Sequence, residues 1–341
     1  MADVLALRDL PAPDNALPSF APPPRFGETT FASYKPQHAS QREALERVRS
    51  FVDEIGGSGG GGFRWFWQDA AQGKGLYLDG GFGVGKTHLL AAAYTACNAE
   101  KMYSSFSELV HVVGVMGGAK AKAELGHAAL YCIDEFELDD PGNTLIIRSF
   151  LAYVFEQGGR VITTSNTPPE AQGQGRFNAN DFKREIQSIA ERFEMVRLEG
   201  PDYRKREKTA ALLSHEELET RQQTEPAEGK VHATWAELFE VLTDTHPVRF
   251  EKLLEPVGTL YVAGARPIEH QSDALRFVHF IDKLYNLKVG LRMSGEVALE
   301  NLFDPSYAKG AYAKKHDRCL SRISELLEEN RADPVETSEP A

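Results

Sequence analysis

A glycine-rich stretch between an apolar run and a helix-forming run limits the fold of this chain most strongly. Residues 80–87, GGFGVGKT, match the pattern G-x-x-x-x-G-K-[ST]. Residues 76–78 precede the stretch as a predicted buried strand, and residues 87–98 follow it as a predicted helix. A strand, this loop and a helix in that order form the context in which the pattern binds phosphate. We therefore expect an α/β fold of the phosphate-loop NTPase type, with a parallel sheet flanked by helices.

The residue types of this phosphate loop (residues 80–87) suit a nucleoside triphosphate. Glycines let the backbone wrap around an oxyanion with its amide groups pointing inward, and the helix N-terminus adds further donors. Lys86 is expected to reach the β- and γ-phosphates, and the Thr87 hydroxyl to bind Mg²⁺. The predicted nucleotide-binding residues are Gly80, Gly81, Phe82, Gly83, Val84, Gly85, Lys86, Thr87 and His88.

Two later strands are predicted to deliver polar residues to the same edge of the sheet. The apolar residues 130–133 lead into Asp134 and Glu135, and residues 161–164 lead towards Asn166. Ligands of open α/β sheets bind at the carboxyl ends of the strands. We expect Asp134 to hold Mg²⁺ directly or through water, and Glu135 to act as general base on the attacking water. Asn166 is expected to contact the γ-phosphate or to position that water.

Strand and helix signals alternate from residue 64 to residue 200, which implies parallel pairing through crossover helices. The composition then changes to a highly charged stretch and a second block of strands and helices. We expect an α+β extension there. The predicted regions are a proline-rich arm (1–38), an ATPase core (39–213), a charged linker (214–230), a C-terminal lid region (231–329) and a disordered tail (330–341).

Composition narrows the function further. The formal net charge is −12, which argues against general nucleic-acid binding, because phosphate neutralisation needs a basic face. The three cysteines, Cys97, Cys132 and Cys319, lie far apart and form no zinc motif, which is typical of a reducing cytosol. We find no signal peptide and no apolar run of transmembrane length, so we expect a cytoplasmic protein.

Several motifs together resemble the AAA+ ATPases, and within them the ZapE family, also called AFG-like ATPases. The resemblance covers roughly residues 34–329 and is carried by stretches beyond the phosphate loop. They are GLYLDGGFGVGKTHLL (75–90), YCIDEFELDD (131–140), TTSNTPPE (163–170), GPDYR (200–204), HDRCLSRISEL (316–326) and ASQREAL (39–45).

This resemblance implies an ATPase that assembles as a homo-oligomeric ring, commonly a hexamer, with ATP and Mg²⁺ at subunit interfaces. Bacterial members act on FtsZ polymers at the division site, so FtsZ or another protein client is the implied partner. Mitochondrial relatives are linked to protein quality control, which is an alternative role.

The resemblance also implies arginines that complete the site, and here the sequence leaves choices open. Where the family usually has N-G-L-Q-R-x-R-F, residues 172–177 read QGQGRF, and only the final Arg-Phe matches well. Arg176 in that stretch and Arg192 before the last core strand are the two candidates for an arginine acting on the neighbouring subunit's nucleotide. Arg318 and Arg322, one helical turn apart, are candidates for a second sensor that contacts nucleotide within the same subunit.

Three other functions use the same phosphate loop. A nucleic-acid remodeller of the helicase-loader type would need a basic stripe, which the acidic composition disfavours. A small-molecule kinase would need a lid with acceptor-binding residues, whereas Glu135 beside Asp134 favours water as acceptor. A nucleotide-gated adaptor that barely hydrolyses ATP would not need Glu135 at all.

Overall fold

The computed structural model describes residues 5–12, 17–56, 73–138, 140–167, 187, 189–200, 211–226, 228–309 and 312–329. The strands in these ranges are β1 (Leu5–Ala6), β2 (Gly75–Gly80), β3 (Lys101–Ser105), β4 (Leu130–Asp134), β5 (Arg160–Ser165), β6 (Phe193–Leu198), β7 (Lys230–Thr234), β8 (Thr259–Ala265) and β9 (Gly290–Gly295). The α-helices are α1 (Ala39–Gly56), α2 (Lys86–Ala96), α3 (Phe106–Met116), α4 (Gly118–Leu125), α5 (Pro141–Glu156), α6 (His215–Thr224), α7 (Trp235–Asp244), α8 (Phe250–Leu254), α9 (Gln271–Leu287) and α10 (Ala313–Glu329). None of these helices is long and apolar enough to cross a membrane. The chain divides into two compact units, one of Ala16–Tyr203 and one that joins Met1–Asn15 to Arg204–Ala341.

The first unit is built on a five-stranded sheet in the order β3-β4-β5-β2-β6. Every pairing in it is parallel, which confirms the predicted α/β fold class. Asp79 of β2 lies beside Ser165 of β5, and Ser105 of β3 lies beside Asp134 of β4. The carboxyl ends of these strands therefore meet at one edge of the sheet, as the sequence pattern predicts.

The inner strands β2, β4 and β5 are buried on both faces of this sheet, which explains why each contains a run of consecutive apolar residues. Leu76, Leu78 and Ile162 pack in one core cluster with residues of α1 and α2. Tyr77 and Ile133 point into the other cluster, with residues of α3 and α5. Alternate residues of each strand thus anchor opposite helix layers, and this holds the strand ends at fixed positions.

Helix α3 begins at Phe106, immediately after its N-cap. Ser105 is the N-cap: its Oγ accepts from the Glu108 amide at 3.3 Å, and the Glu108 carboxylate accepts from the Ser105 amide at 2.9 Å. Two otherwise unpaired amides are satisfied by this reciprocal capping box. A glutamate three residues after Ser105 is the sequence signal for this start, because Ser107 has no such partner at the same spacing.

The second unit has a four-stranded sheet in the order β1-β7-β8-β9, and all of its pairings are parallel. It is therefore an α/β unit, and the expectation of an α+β extension is corrected. The physical reason is its alternation of strands with helices, since parallel neighbours need crossover connections. Leu242 of α7, Phe277 of α9 and Ile323 of α10 are fully buried in its core.

The predicted N-terminal arm, residues 1–38, is shared between the two units. Leu5 and Ala6 pair in parallel with Val231 and His232 of β7, so β1 belongs to the second unit. Leu7, which is 1% exposed, and Leu10 follow it into the same core. This segment is held by the buried side chains of Leu7 and Leu10 and by a strand pairing of two residues, which is too short to predict from sequence.

The stretch predicted as a charged linker, 214–230, contains helix α6. Ser214 caps the helix through a capping box with Glu217, and Leu218 is buried. The high charge of this stretch is compatible with a helix because its polar side chains lie on the exposed face while Leu218 packs with Leu213 and Tyr261. The predicted disordered tail, 330–341, lies outside the described residues.

Candidate active site

The phosphate loop joins β2 to α2 and needs glycine at two of its positions. Gly83 and Gly85 have φ angles of 68° and 91°, in the left-handed region. A Cβ at Gly85 would also lie 2.6 Å from Cε2 of Tyr34. In contrast, nothing lies within 4 Å of the position of a Cβ at Gly81. The loop is therefore closed on one side by Tyr34 and open at Gly81.

Lys86 connects the phosphate loop to the end of β5. Its ammonium group donates to the carbonyl oxygens of Gly80 at 2.8 Å and Gly81 at 2.6 Å, and to Asn166 Oδ1 at 2.8 Å. The side chain is buried, which a lysine tolerates when its donors are satisfied. A direct hydrogen bond between Lys86 and Asn166 therefore links the phosphate loop to the end of β5.

Asp134 lies at the end of β4, where three hydroxyl groups reach its carboxylate. Oδ1 accepts from Thr87 Oγ1 at 3.3 Å and from Thr164 Oγ1, and Oδ2 accepts from Tyr103 Oη at 3.3 Å. Burial, and next the charge of Asp134, raise the pKa of Tyr103 well above its usual value, so its hydroxyl stays a donor. The two predicted metal ligands, Thr87 and Asp134, are therefore in direct contact.

Glu135 follows with a backbone conformation unusual for a residue with a side chain. Its φ angle is 54°, and its amide donates to Thr164 Oγ1 at 3.0 Å. The next amide, that of Phe136, donates to the Thr164 carbonyl at 2.7 Å, and Phe136 is buried against Phe106 and Tyr77. The main chain at Glu135 is thereby fixed on both sides, while its side chain remains half-buried at the sheet edge.

His88, predicted to contact nucleotide, lies against the segment that precedes α1. Its Nε2 is 3.0 Å from Ser33 Oγ, and its ring lies 5.3 Å from that of Tyr34. Burial lowers the pKa of His88 below 6.5, against a hydrogen bond with the backbone of Thr30 that raises it. The imidazole is therefore mainly neutral at pH 7.

Two residues of the site were missed by sequence reasoning. Tyr34 Oη donates to the Val84 carbonyl at 3.2 Å, and Gln41 Nε2 donates to the same carbonyl at 3.4 Å. Gln41 Oε1 accepts from the amides of Gln37 and His38 at 2.8 and 3.1 Å. Gln41 is fully buried. A glutamine on the buried face of an amphipathic helix was the sequence signal that could have identified it.

The arginine candidates differ in what the structure describes. Arg192 is exposed immediately before β6, and its carbonyl accepts from the Gly75 amide at 3.0 Å. Arg176 lies outside the described residues. Arg192 is exposed beside β2, the strand that leads to the phosphate loop, and it can contact a neighbouring subunit's nucleotide only in an oligomer. That role stays a prediction.

Arg318 and Arg322 lie together on α10 and pair with Asp282 of α9. The Arg318 guanidinium is 2.6 Å from Asp282 Oδ2, Arg322 forms an ion pair with the same carboxylate, and all three residues are buried. Burial opposes ionisation of Asp282, but the two guanidinium groups hold its pKa below 3.8. The structure thus gives this pair a buried carboxylate as partner inside the second unit, and a role as second sensor stays a prediction.

The parallel sheet carries the phosphate loop after β2, the acidic pair at the end of β4 and Asn166 after β5, the strand between them. This arrangement defines a phosphate-loop NTPase. The comparison with known proteins gives the family. The sequence model of the family described as "AFG1-like ATPase" matches residues 20–240 and 214–332. The chain belongs to the AFG1-like ATPase family, and it is an AAA+ ATPase.

The chain is also similar to individual proteins of known name. Cell division protein ZapE of Escherichia coli strain K12 is 26% identical over 298 residues, which cover 75% of this chain and 78% of that protein. Lactation elevated protein 1 homolog B of Danio rerio is 25% identical over 297 residues, which cover 71% of this chain and 59% of that protein. Among solved structures, AMPPCP-bound DnaA from Aquifex aeolicus is 12% identical with a TM-score of 0.40, and the match covers 89% of this chain and 93% of that one.

Proposed function

We propose that this ATPase couples Mg²⁺-dependent hydrolysis of ATP to the remodelling of a protein partner. The observation that carries the proposal is the contact of three strand ends: Lys86 with Asn166, and Thr87 with Asp134. In this proposal the amides of the phosphate loop and the Lys86 ammonium bind the phosphates. Lys86 exchanges its present carbonyl partners, Gly80 and Gly81, for phosphate oxygens, which are better partners because they carry full charge.

The residues present fit a magnesium ion. Thr87 and Asp134 supply a hydroxyl and a carboxylate 3.3 Å apart, and oxygen ligands are those that Mg²⁺ prefers. No group of three or more His, Cys, Asp or Glu that could hold a metal occurs among the described residues. A magnesium site of this class needs only one or two carboxylates, because phosphates and waters complete it. When bound, the ion would neutralise charge that develops on the phosphates.

The hydrolytic step is assigned to Glu135 and Asn166. Glu135 accepts the proton of the attacking water, while Asn166, held beside Lys86, orients that water or the γ-phosphate. An arginine from a neighbouring subunit, Arg192 or Arg176, would stabilise the negative charge of the transition state. This last assignment requires an oligomer, for which we propose a homo-oligomeric ring such as a hexamer.

For the partner we propose FtsZ polymers, with the protein acting in the cytoplasm at the division site. The support is the relative whose name is cell division protein ZapE, which matches over 75% of this chain. A net charge of −12 supports a protein partner over nucleic acid, because a nucleic-acid remodeller needs a basic surface.

The test is ATP turnover as a function of protein concentration, with and without FtsZ polymers. We expect specific activity to rise with concentration as subunits assemble, and to change further when FtsZ polymers are added. Arg192→Ala or Arg176→Ala should lower turnover by about 10³-fold, the effect of removing an arginine that acts in trans. Exposed Arg197→Ala, near the other end of β6, is the matched control. Turnover per subunit that is independent of concentration and of both arginines would contradict the shared site, and no response to FtsZ would contradict the proposed partner.

A further inference from the structure

A single buried hydroxyl contacts both acidic residues of the site. Thr164, near the end of β5, is 2% exposed. Its Oγ1 donates to Asp134 Oδ1 and accepts from the Glu135 amide at 3.0 Å. A hydroxyl has one proton and two lone pairs, so it can serve both partners at once. A methyl group in the same place would serve neither.

The second contact bears on the backbone conformation of Glu135. With φ at 54°, this residue is in the region that favours glycine, and such a conformation persists only where its surroundings fix it. The side chain of Thr164 accepts from the Glu135 amide, and its carbonyl accepts from the Phe136 amide at 2.7 Å. Thr164 therefore holds the chain at two consecutive positions, one on each side of the Glu135 Cα.

The first contact bears on the orientation of Asp134. Thr87 and Thr164 share Oδ1 of this carboxylate, while Tyr103 contacts Oδ2. In the proposed function the Thr87 hydroxyl serves the metal ion. Thr164 is then the strand-end donor that keeps Oδ1 in place when Thr87 turns to the metal.

We propose that Thr164 is a positioning residue, whose hydroxyl sets the metal-binding carboxylate and the water-activating glutamate relative to each other. It acts through Asp134 and Glu135 and has no contact of its own with the reacting atoms. The inference rests on the proposed roles of those two acids. It gives a role to Thr164 of β5, two positions before Asn166, a residue to which the sequence pattern assigned none.

The experiment compares Thr164→Val and Thr164→Ser with the control Thr163→Val. Thr163 is the preceding residue of β5, it is fully buried, and its hydroxyl has no hydrogen-bond partner among the described residues. Both valine variants remove one hydroxyl from one strand and keep nearly the same shape. Only Thr164→Val removes a hydroxyl that holds the acids, so the pair separates positioning from packing.

We expect Thr164→Val to lower kcat by about 10- to 100-fold, the change that corresponds to one lost hydrogen bond to a charged group. KM for ATP should rise no more than several-fold, in step with the weaker metal contribution, because the groups that bind the phosphates are intact. The affinity for a fluorescent ADP is measured once with Mg²⁺ and once with EDTA. The factor by which Mg²⁺ increases this affinity should fall several-fold, and it reports on metal binding without turnover. Thr164→Ser should restore both quantities, and Thr163→Val should leave both unchanged.

Two results would overturn the inference. One is a Thr164→Val variant with the kcat and the magnesium dependence of Thr163→Val. The other is a Thr164→Ser variant as impaired as Thr164→Val, which would make the methyl group the important part. If Thr164→Val does not fold, Thr164→Ala against Thr163→Ala gives the same comparison. Asp134→Asn and Glu135→Gln are measured in parallel, because wild-type activity in these variants would refute the proposed site itself.

Discussion

Glu135 shows how much of this site depends on the conformation of one residue. A left-handed backbone costs a residue with a Cβ roughly 1–2 kcal/mol, yet Glu135 adopts it at φ 54°. The residues around it supply the fixing contacts: Thr164 accepts from two successive amides, and Phe136 is buried in the core. Strain of this kind at a carboxylate beside a phosphate loop supports a functional role for that carboxylate.

At this scale we predict that Glu135→Gln keeps nucleotide affinity and loses turnover. The amide cannot accept a proton from water, so kcat should fall by about 10²- to 10⁴-fold. The backbone contacts and the phosphate loop do not involve the lost charge, so the dissociation constant for ATP should change little. Equilibrium binding and steady-state turnover of the same preparation measure the two effects. Glu156→Gln, at the exposed end of α5, is the control, and wild-type turnover in Glu135→Gln would rule out the assignment of the base.

The elements of the first unit could largely be predicted, because each carries its own local signal. Strand β2 is an apolar run that ends in glycines, and helix α2 follows with a run of alanine and leucine. The elements that were not predicted depend on distant partners. Helix α6 is stabilised through Leu218, which packs on Tyr261 of β8. The contact of Gln41 with the phosphate loop, a hydrogen bond to the Val84 carbonyl, also joins distant residues. No local pattern reports a contact between residues about 40 positions apart.

Helices α9 and α10 illustrate the same limit. The spacing of Arg318 and Arg322 is visible in the sequence, but their partner Asp282 is 36 residues before Arg318 and on another helix. Arg322 also lies 5.1 Å from the ring of Tyr285, which places its guanidinium over an aromatic face. The pattern alone therefore suggested a nucleotide sensor, and it did not suggest a buried ion pair.

We predict that Asp282→Asn lowers the stability of the second unit by about 3–5 kcal/mol at pH 7, because it removes the buried carboxylate that pairs with two buried guanidinium groups. The pKa of Asp282 is lowered below 3.8 in the folded state, so its contribution is complete above pH 3.8 and is lost as the pH falls through the folded-state value. The difference between wild type and variant should accordingly shrink below pH 3.8. Urea unfolding at several pH values measures it, with exposed Glu300→Gln as control. A difference that is small at pH 7 would contradict the assigned role of the ion pair.

On the scale of the whole molecule, the second unit is discontinuous in sequence. Its sheet takes β1 from residues before the first unit and the other strands from residues after it. Leu7 is 1% exposed in the core of this unit, whereas its neighbour Leu5 is 51% exposed. The N-terminal residues thus contribute a strand pairing and apolar contacts to a unit encoded mainly more than 200 positions later.

This arrangement predicts different effects for two leucines of the same short segment. Leu7→Ala should destabilise the second unit by about 2–5 kcal/mol, because it leaves a cavity in a packed core. Leu5→Ala should change stability by less than about 0.5 kcal/mol, because the side chain is half-exposed at the sheet margin. Thermal or urea unfolding of the two variants tests this. Equal effects would mean that the segment does not pack on the second unit in solution.

The parallel pairing of Leu5 with Val231 also sets an order of events during synthesis. The partner strand is 226 positions later, so a ribosome adding about 5–20 residues per second completes it roughly 10 to 45 s after residue 5 is made. All residues of the Ala16–Tyr203 unit exist before that moment, whereas β1, which is made before them, cannot pair until β7 is made. A fusion attached ahead of residue 5 would therefore interfere with the pairing of β1 and β7, which is a late step in the folding of the nascent chain, and not with an early step.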